Sequence, residues 1–557
     1  MNLIRRRSGF TRTVCRGRLP ASAAVFAAFF LNLAAAEDRP NILWIIAEDI
    51  SPDLGCYGDA YARTPHLDRL AAEGARFTRA FSVSGVCAPS RSALITGMYP
   101  TTIGSHHMRS SALPPPYVKC FTEYLRAAGY YCSNDSKTDY NFSGDPRGVP
   151  VGAWDASRPG ARWRGREPGQ PFFSVITLPV THESRVRAPD AEFERLTAGL
   201  APGDRHNPAQ AKLPPYYPDD PEVRRDWARY HDLITIMDAQ AGDILADLEA
   251  DGLAANTMVI FFGDNGRGLP RGKRWVYDSG IRVPLIARWP GKIAPGSTRE
   301  ELVSFIDFAP TTLALAGVAI PPHLQGRVFI GQAAAPAPEF IFAARDRMDA
   351  AYDVIRAAGD GRYKLIRNFE PEKPYAQPIA YMDKMPTMRV WRRLAAEGRL
   401  TGPAALFFAP SKPLEEFYDT LEDPHEVNNL IDAREHQDRI GRMRAAIERW
   451  MAESGDLGLI PEAELLDRWR PEGKWASTAA PTIRPDGGRF DAPIEVRIAC
   501  TTEGASIEYS LESDAAARWR LYAGPVRLER SGTLRVRAGR LGYRDSPVVE
   551  AAFELSR

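Results

Sequence analysis

The sequence predicts an α/β protein whose main sheet is mostly parallel and flanked by helices. The segments 42–47, 172–180 and 258–262 are continuous apolar runs without polar alternation. Segment 230–252 lies between the last two and places its apolar residues on one helical stripe. Strands that are apolar at every position are buried on both faces, so their alternation with amphipathic helices favours a sheet covered on each side.

Length and charge limit the classes of function. The 557 residues are enough for several domains, and a hydrophobic fraction of 44% is ordinary for globular proteins. Basic and acidic residues number 71 and 70, which gives a formal net charge of +1. This balance offers no general attraction to nucleic acid or to an anionic membrane surface, so we expect no nucleic-acid partner. Any anionic substrate must be held by local arginines and lysines.

The N-terminus has the pattern of an export signal. A cluster of arginines precedes the apolar stretch 21–35, and small residues at 34–36 offer a cleavage site near Glu37. The stretch is too short for a comfortable membrane span. We therefore expect residues 1–36 to be removed and the protein to be periplasmic or secreted, with no membrane span. In such a compartment Cys120 and Cys132 form either a disulfide or two buried free thiols.

The rest of the chain divides into four parts. Residues 37–338 contain the apolar runs and form the predicted α/β catalytic domain. Residues 339–454 mix short strands with a closing helix at about 434–451, which predicts a smaller α+β subdomain with an antiparallel sheet. A linker punctuated by proline and glycine, 455–480, leads to residues 481–557, where short alternating segments predict an all-β sandwich module.

Acidic pairs follow two of the predicted strands. Glu48 and Asp49 end the first apolar run, and Asp264 and Asn265 follow the run 258–262. Each pair alone is more typical of a helix cap or a loop charge. Ligands of parallel sheets, however, lie outside the carboxyl ends of the strands, and calcium prefers several carboxylate and amide oxygens. Two pairs at matching strand ends therefore predict a site for one calcium ion.

The most informative motif is the run VCAPSRSALITG at residues 86–97, which contains Cys87. Its Cys-x-Pro-Ser-Arg core, followed by an apolar turn and Thr-Gly, resembles the signature of the type I sulfatases. In that family the cysteine is oxidised before folding to formylglycine (3-oxoalanine) by a formylglycine-generating maturation enzyme. For Cys-x-Pro alone, the preferred interpretation would be a small buried cysteine before a helix that starts with proline.

Further blocks carry the same resemblance over roughly residues 39–429. They are RPNI at 39–42, CYG at 56–58, TPHLDRL at 64–70, GDNG at 263–266, YDSGIRVP at 277–284 and FYD at 417–419, with Lys273 between the fourth and fifth. The resemblance implies an alkaline-phosphatase-like fold and the hydrolysis of sulfate esters or N-sulfates.

The resemblance also implies a set of metal ligands. Glu48, Asp49, Asp264 and Asn265 would bind the calcium ion, and the modified Cys87 would complete its coordination.

Other positions take catalytic roles by the same resemblance. Arg91 would neutralise and orient the formylglycine, and Lys137 would bridge the sulfate and the nucleophile, a gem-diol formed by hydration of the aldehyde. His182 and Lys273 would contact the sulfate and its bridging oxygen. His182 is preferred for proton delivery, because imidazole titrates near neutrality.

Two positions depart from the family pattern. Glu48 stands where the family usually has aspartate, and its extra methylene suits a flexible calcium shell. Asp139 occupies the place of the histidine in the family's Gly-Lys-x-His motif, which reads Ser-Lys-Thr-Asp in this chain. Either Asp139 takes the role of that histidine or another residue does, and His106 and His107 are the candidates.

Cationic and aromatic residues suggest how a sulfated sugar is held. Arg162 and Arg164 flank Trp163, an arrangement that suits stacked, sulfated sugar rings. A solvated loop is an equal alternative for this segment. Arg345 is a further candidate that would reach in from the subdomain, against the alternative of a surface ion pair with a nearby aspartate.

The C-terminal segment resembles the β-sandwich of chitobiases and hexosaminidases in the blocks PTIRP at 481–485, IEYSL at 507–511 and LYAGP at 521–525. Together with export, it favours a sulfated polysaccharide or oligosaccharide as substrate. Blocks 104–110 and 136–141 resemble bacterial sulfatases related to heparan N-sulfatase. The alternatives are a phosphomonoesterase or phosphodiesterase of the same superfamily, and a catalytically inactive glycan-binding protein.

Overall fold

The computed structural model describes residues 39–142, 148–512 and 518–556. The expected export signal, residues 1–36, lies outside these ranges. Within them, no helix has both the length and the apolar character needed to cross a bilayer. The predicted fold class is confirmed, since a large sheet flanked by helices is joined by a smaller antiparallel sheet and a C-terminal β-sandwich.

A nine-stranded sheet forms the centre of the larger part. Its strands are β1 (Asn41–Ala47), β2 (Ala75–Phe81), β3 (Tyr131–Asp135), β4 (Ala156–Ser157), β5 (Phe172–Leu178), β6 (Thr257–Gly263), β7 (Arg282–Arg288), β8 (Ser297–Arg299) and β9 (Val303–Ser304). They are ordered β4-β3-β5-β1-β6-β7-β2-β8, and β9 also pairs with β2. In the described ranges six of the eight strand pairings are parallel, and β7 runs antiparallel to both of its neighbours.

Helices cover both faces of this sheet. They are α1 (Pro65–Glu73), α2 (Cys87–Thr96), α3 (Pro100–Ile103), α4 (Phe121–Ala127), α5 (Glu183–Val186), α6 (Asp190–Leu196), α7 (Pro221–Ala250), α8 (Asp278–Ile281) and α9 (Phe308–Leu315). Strand β1 shows why both faces need cover: Leu43 and Ile45 belong to one buried cluster, while Ile42 and Trp44 belong to a second. Alternate side chains of a strand point to opposite faces, so a strand that is apolar throughout requires a core on each side.

Helix α7 begins earlier than the apolar stripe at 230–252 predicted. The side chain of Asp220 accepts a hydrogen bond from the backbone amide of Glu222 (2.9 Å), and Pro221 occupies the first turn. An aspartate cap followed by proline is a standard helix start. The first turns of the helix are mostly polar, which is why the apolar stripe did not reveal them.

A second sheet is antiparallel and contains β10 (Ile341–Arg345), β11 (Ile355–Gly359), β12 (Tyr363–Asn368) and β13 (Glu415–Asp419). Its helices are α10 (Pro386–Ala396), α11 (Pro403–Leu406) and α12 (Gln437–Ser454). Ile440, Met443 and Ile447 of α12 form one buried cluster with Leu365 and Phe417 of the sheet. The closing helix and the antiparallel sheet of the α+β part are therefore present as predicted.

The segment predicted as a linker contains helix α13 (Glu462–Trp469), which the sequence analysis missed because glycine and proline punctuate its surroundings. Beyond it lie β14 (Thr482–Arg484), β15 (Gly488–Phe490), β16 (Ile494–Ala499), β17 (Ser506–Ser510), β18 (Arg520–Leu521), β19 (Val526–Leu528), β20 (Gly532–Gly539) and β21 (Val549–Leu555). They form two sheets, β14-β16-β19 and β15-β21-β20-β17-β18. Val496 and Leu528 of the first sheet share a core with Val536 and Phe553 of the second, so the two sheets pack as a sandwich.

Candidate active site

The two acidic pairs meet at one edge of the main sheet. Strands β1 and β6 are parallel neighbours with Ala47 opposite Gly263, so the residues that follow them emerge side by side. The backbone amide of Asp49 donates to Asp264 Oδ1 (3.0 Å). Asp49 itself adopts a left-handed backbone (φ 55°), which turns the chain at the strand end. Glu48, Asp49, Asp264 and Asn265 are all buried there.

Each of the three carboxylates in this group has a cationic partner. Lys137 Nζ lies 2.9 Å from Glu48 Oε2, and Lys273 Nζ donates to Asp49 Oδ2 (2.7 Å). Arg91 Nε donates to Asp264 Oδ2 (3.1 Å). The structure thus brings together six of the charged residues that the sequence analysis selected.

Burial and the neighbouring cations act in opposite directions on these acids. Burial disfavours ionisation of Asp49, but Lys273, His182 and a hydrogen bond from the backbone amide of Glu183 outweigh it and lower the pKa of Asp49. At Asp264 burial is the larger effect, and it raises the pKa despite Arg91. A bound cation would favour the charged form of both carboxylates.

Asn265 shows that these oxygens fit a metal ion. Its Nδ2 donates to Asp49 Oδ1 (3.0 Å) and to the backbone oxygen of Gly266 (2.8 Å), which fixes the orientation of the amide. Its buried Oδ1 receives no hydrogen bond from any described residue. A buried amide oxygen beside three carboxylates is the donor set that calcium prefers.

A second possible metal group overlaps the first and includes a residue that the sequence analysis missed. Ligand atoms of Asp49, His182 and Glu183 lie within 4.8 Å of one another. Glu183, however, forms a double hydrogen bond with Arg274 (3.0 and 2.7 Å) and an ion pair with Lys273 (3.0 Å). Glu183 therefore anchors the cations of the site; its position next to His182 was the signal that could have revealed it.

Cys87 begins helix α2 and is almost completely buried, with 1% of its surface exposed. The turn before it passes under the later chain: Arg274 donates its backbone amide to Gly85 O (2.6 Å), and a Cβ added at Gly85 would lie 2.3 Å from Trp275 O. Burial raises the pKa of the Cys87 thiol to about 12. An unmodified thiol at this position is therefore protonated at neutral pH.

His182 follows strand β5 and points towards the same centre. Its Nδ1 is 2.8 Å from Ser184 Oγ, which orients the ring. Its Nε2 lies 3.4 Å from Lys273 Nζ and 4.0 Å from both Glu48 Oε2 and Asp49 Oδ2. Burial and the charge of Lys273 lower its pKa, so the ring is neutral near pH 7 and is held within reach of the lysine.

An open cleft of ≈ 500 Å³ lies above these residues. It is lined by Glu48, Arg109, Ser136, Lys137, Thr138, Asp139, Pro179, His182, Ser184, Arg185 and Tyr381. A smaller pocket deeper in connects Cys87 with His182, Lys273 and Tyr381. The cleft therefore gives access to the neighbourhood of Cys87 between the β5 loop and the loop that follows β3.

Asp139 lines this cleft. It is 4% exposed, and its Oδ1 lies 3.9 Å from Arg109 Nε. Among the described residues none donates a hydrogen bond to this oxygen. Asp139, unlike the two candidate histidines, is thus positioned to meet a ligand in the cleft.

His106 and His107 lie elsewhere. Both are buried, their rings are 4.2 Å apart between centroids, and His107 Nδ1 accepts from the backbone amide of Arg347 (3.2 Å). Burial lowers the pKa of each to about 4. Neither is among the described residues that line the cleft, so the substrate-binding role considered for His107 has no geometric support.

The arginines at 162, 164 and 345, candidates for binding the sugar, form ion pairs with aspartates. Arg162 Nη1 and Arg164 Nη2 bind Asp247 (3.1 and 3.0 Å) near the end of α7, and neither is among the described residues of the cleft. Arg345 is 1% exposed and pairs with Asp353 (2.7 Å) above the ring of Trp275, so it stabilises the interior. Asp247 comes from a segment far from Arg162 and Arg164 in the chain, and Asp353 lies eight residues after Arg345 without a pattern that would predict the pairing.

Cys120 and Cys132 are buried free thiols in the described chain. Of the two alternatives that the sequence left open, the structure therefore has the thiols.

Comparison with known proteins identifies the family to which the chain belongs. The Sulfatase family model matches residues 40–149 and 158–318, and the model for N-sulphoglucosamine sulphohydrolase, C-terminal, matches residues 271–373. A protein of Formosa agariphila named Ulvan-active sulfatase is 38% identical over 554 residues, which cover 92% of this chain and 91% of that protein.

Solved structures share the fold. One, described as a complex with its substrate D-glucosamine-2-N,6-O-disulfate, has a TM-score of 0.53 at 17% identity and covers 75% of this chain and 98% of its own. A phosphonate monoester hydrolase from Silicibacter pomeroyi has a TM-score of 0.55 at 19% identity and covers 76% of this chain and 97% of its own. At these identities the likeness concerns the fold, whereas the relative from Formosa agariphila matches most of both chains at higher identity. The chain belongs to the sulfatase family and is a sulfuric ester hydrolase.

Proposed function

We propose that this sulfatase removes sulfate from sulfated polysaccharides or oligosaccharides after export, with formylglycine at position 87 and one calcium ion. The observation that carries the proposal is the position of Cys87, which shares a pocket with His182 and Lys273 at the base of the cleft. The relative from Formosa agariphila, named for its activity on ulvan, supports a glycan as substrate. The export signal at 1–36 is part of the proposal.

Glu48, Asp49, Asp264 and Asn265 would hold the calcium ion through their buried oxygens. When bound, calcium supplies a fixed positive charge that stabilises negative charge developing on the sulfate oxygens. Formylglycine would supply an oxygen nucleophile, which the buried thiol of Cys87 does not.

The lysines and the histidine of the site act on the substrate. Lys137 is held by Glu48 and has N–H bonds left to donate to sulfate oxygens, whereas Lys273 is held by both Asp49 and Glu183 and has one N–H bond left. His182 Nε2 faces the pocket while Nδ1 accepts a hydrogen bond from the backbone amide of Ser184 (3.3 Å), so the neutral ring can donate its Nε2–H to the leaving oxygen. Lys273, whose Nζ lies 3.4 Å from this ring, is the charged acid that can deliver the proton. Arg91 pairs with Asp264 in the interior and so fixes the position of this carboxylate.

The rim of the cleft suits an extended anionic substrate. Arg109 and Arg185 line it with side chains that are 44% and 42% exposed. Tyr381 lines it as well, and Arg187 lies 4.5 Å from the centre of its ring. Cations beside an aromatic face can hold a charged sugar ring next to the scissile sulfate.

The first prediction concerns residue 87. Co-expression with a formylglycine-generating enzyme should yield a tryptic peptide in which Cys87 is replaced by the aldehyde, while the peptide containing Cys120 keeps its thiol. Mass spectrometry of the purified protein measures both. A Cys87 thiol in quantity, together with full sulfate release, would contradict the proposed nucleophile.

The second prediction concerns the metal. Calcium titration by calorimetry should show one site in the chelator-treated protein and none in Asp264→Asn, because the variant loses a charged ligand at the centre of the group. Asp247→Asn, which removes a carboxylate on α7 away from the cleft, should bind calcium as the parent does. Chelation should abolish sulfate release and calcium should restore it; a parent protein without calcium binding would refute the site.

The third prediction concerns the rim. Arg109→Ala and Arg185→Ala should each raise KM for a sulfated oligosaccharide roughly tenfold, the loss expected for one charge-assisted hydrogen bond. KM for a small aryl sulfate should change little. Arg164→Ala is the control, since this arginine is 53% exposed and also ion-paired, with Asp247 and Asp251, but is not among the described residues that line the cleft. Equal effects on both substrates would show that the rim does not contact the sugar.

The fourth prediction separates sulfate from phosphate chemistry. Matched aryl esters should release sulfate much faster than phosphate, because among the described residues no second cluster of metal ligands separate from the acidic pairs is present. Initial rates of both releases measure the preference. Faster release of phosphate would favour the phosphatase alternative.

A further inference from the structure

The cleft residues Lys137 and Asp139 lie on a segment with little structure of its own. Strand β3 ends at Asp135, and the structure assigns residues 136–141 to no helix or strand. Lys137 nevertheless has to keep its ammonium group 2.9 Å from Glu48. The position of this loop therefore depends on what holds its two ends.

The first end is strand β3, which pairs with β5 in the main sheet and is tied in addition to the C-terminal sandwich. Arg126 of α4 pairs with Glu508 of β17 (2.7 Å) and with Asp155 (3.1 Å), and both Arg126 and Glu508 are almost fully buried. Arg126 also donates to the backbone oxygen of Trp519 (2.9 Å). Asp155 in turn accepts from the backbone amide of Cys132 in β3 (2.8 Å). A continuous chain of hydrogen bonds thus links the sandwich to the strand that enters the loop.

The second end is held by the sandwich directly. The backbone amide of Gly542, between β20 and β21, donates to Phe142 O (2.7 Å), just after the loop. Gly542 has φ 81°, and a Cβ placed there would lie 2.8 Å from Ala112 O. Ala112 itself donates its backbone amide to Asn141 O (2.8 Å). The contact needs glycine both for its backbone conformation and for the close approach.

The joint between the sandwich and the catalytic part is tightly packed throughout. A Cβ at Gly504 would lie 2.2 Å from Pro116 O, and one at Gly539 would lie 2.6 Å from Val151 Cβ. Lys119 Nζ donates to Ser506 Oγ (2.8 Å) and to Gly504 O (2.7 Å). Backbone contacts this close leave no room for the sandwich to move as a separate body on a tether.

We propose that the C-terminal sandwich is a positioning element of the active site, which fixes the loop bearing Lys137 and Asp139 by clamping it at both ends. Glu508 is the principal positioning residue, because it offsets the buried charge of Arg126 on which the first clamp depends. The inference rests on the proposed role of Lys137 in sulfate hydrolysis. It gives the sandwich a function in turnover of every substrate, including those too small to touch it.

The experiment compares Glu508→Gln with the parent on a small aryl sulfate and on a sulfated polysaccharide, well below the unfolding temperature. Loosening the loop should lower kcat at least about tenfold on both, since a shift of Lys137 by roughly 1 Å costs catalysis heavily. KM for the aryl sulfate should change little. Hydrogen–deuterium exchange in residues 131–142 should rise. Glu550→Gln, which removes an exposed carboxylate paired with Arg535 in the same sandwich, is the matched control and should behave as the parent.

If Glu508→Gln does not fold, two further variants still test the proposal. Gly542→Ala acts on the second clamp alone. Ser506→Ala removes the hydrogen bonds that Ser506 makes with Lys119 and with the buried Glu123, while the ion pair between Lys119 and Glu123 (3.8 Å) stays in place. Both should lower kcat on the aryl sulfate and raise exchange in the loop. Parent-like kcat and exchange in these variants would overturn the proposal, and so would a loss confined to the polysaccharide, which would indicate a glycan-binding module. A parent that releases no sulfate would instead refute the proposed function, while raised exchange in the variants would still support the clamp.

Discussion

Three carboxylates buried side by side at the end of a sheet repel one another, and the catalytic part of this protein is arranged around the cations that offset the repulsion. Glu48, Asp49 and Asp264 come from two parallel neighbouring strands. Their partners come from helix α2, from the loop after β3 and from the segment after β6. Each ion pair therefore also ties a distant part of the chain to the same point, and loss of one partner would leave a buried charge that costs several kcal/mol.

The same balance explains how a cation and an anion can occupy one small site. The lysines are held by carboxylates that a calcium ion would share, and the free oxygen of Asn265 adds a neutral ligand. A sulfate group would bring negative charge next to the lysines, and the proposed metal would bring positive charge next to the acids. Neither ligand has to displace the protein's own ion pairs entirely, so the site can be pre-formed and rigid.

Sequence reasoning predicted the parts of the site that lie at strand ends and in the Cys87 motif. The acidic pairs were found because parallel strands end at one edge, so apolar runs followed by acids place those acids together. For Arg162, Arg164 and Arg345 the sequence left a sugar contact and a surface alternative open, because their partners, Asp247 and Asp353, lie far from them in the chain or carry no local pattern. Arg109 and Tyr381 were missed because their place in the cleft comes from tertiary contacts, whereas Glu183 could have been found from its position next to His182.

The packing of residues 274 and 275 over Gly85 determines whether residue 87 can be modified before or after the chain folds. Arg274 and Trp275 are synthesised long after residue 87, yet their backbone seals the turn that leads to it. Once this later segment has settled, no protein-sized catalyst can touch the sulfur. Any enzyme that alters the side chain must work during a brief interval on a nascent or unfolded polypeptide, and a molecule that folds first is committed to carrying the unaltered cysteine.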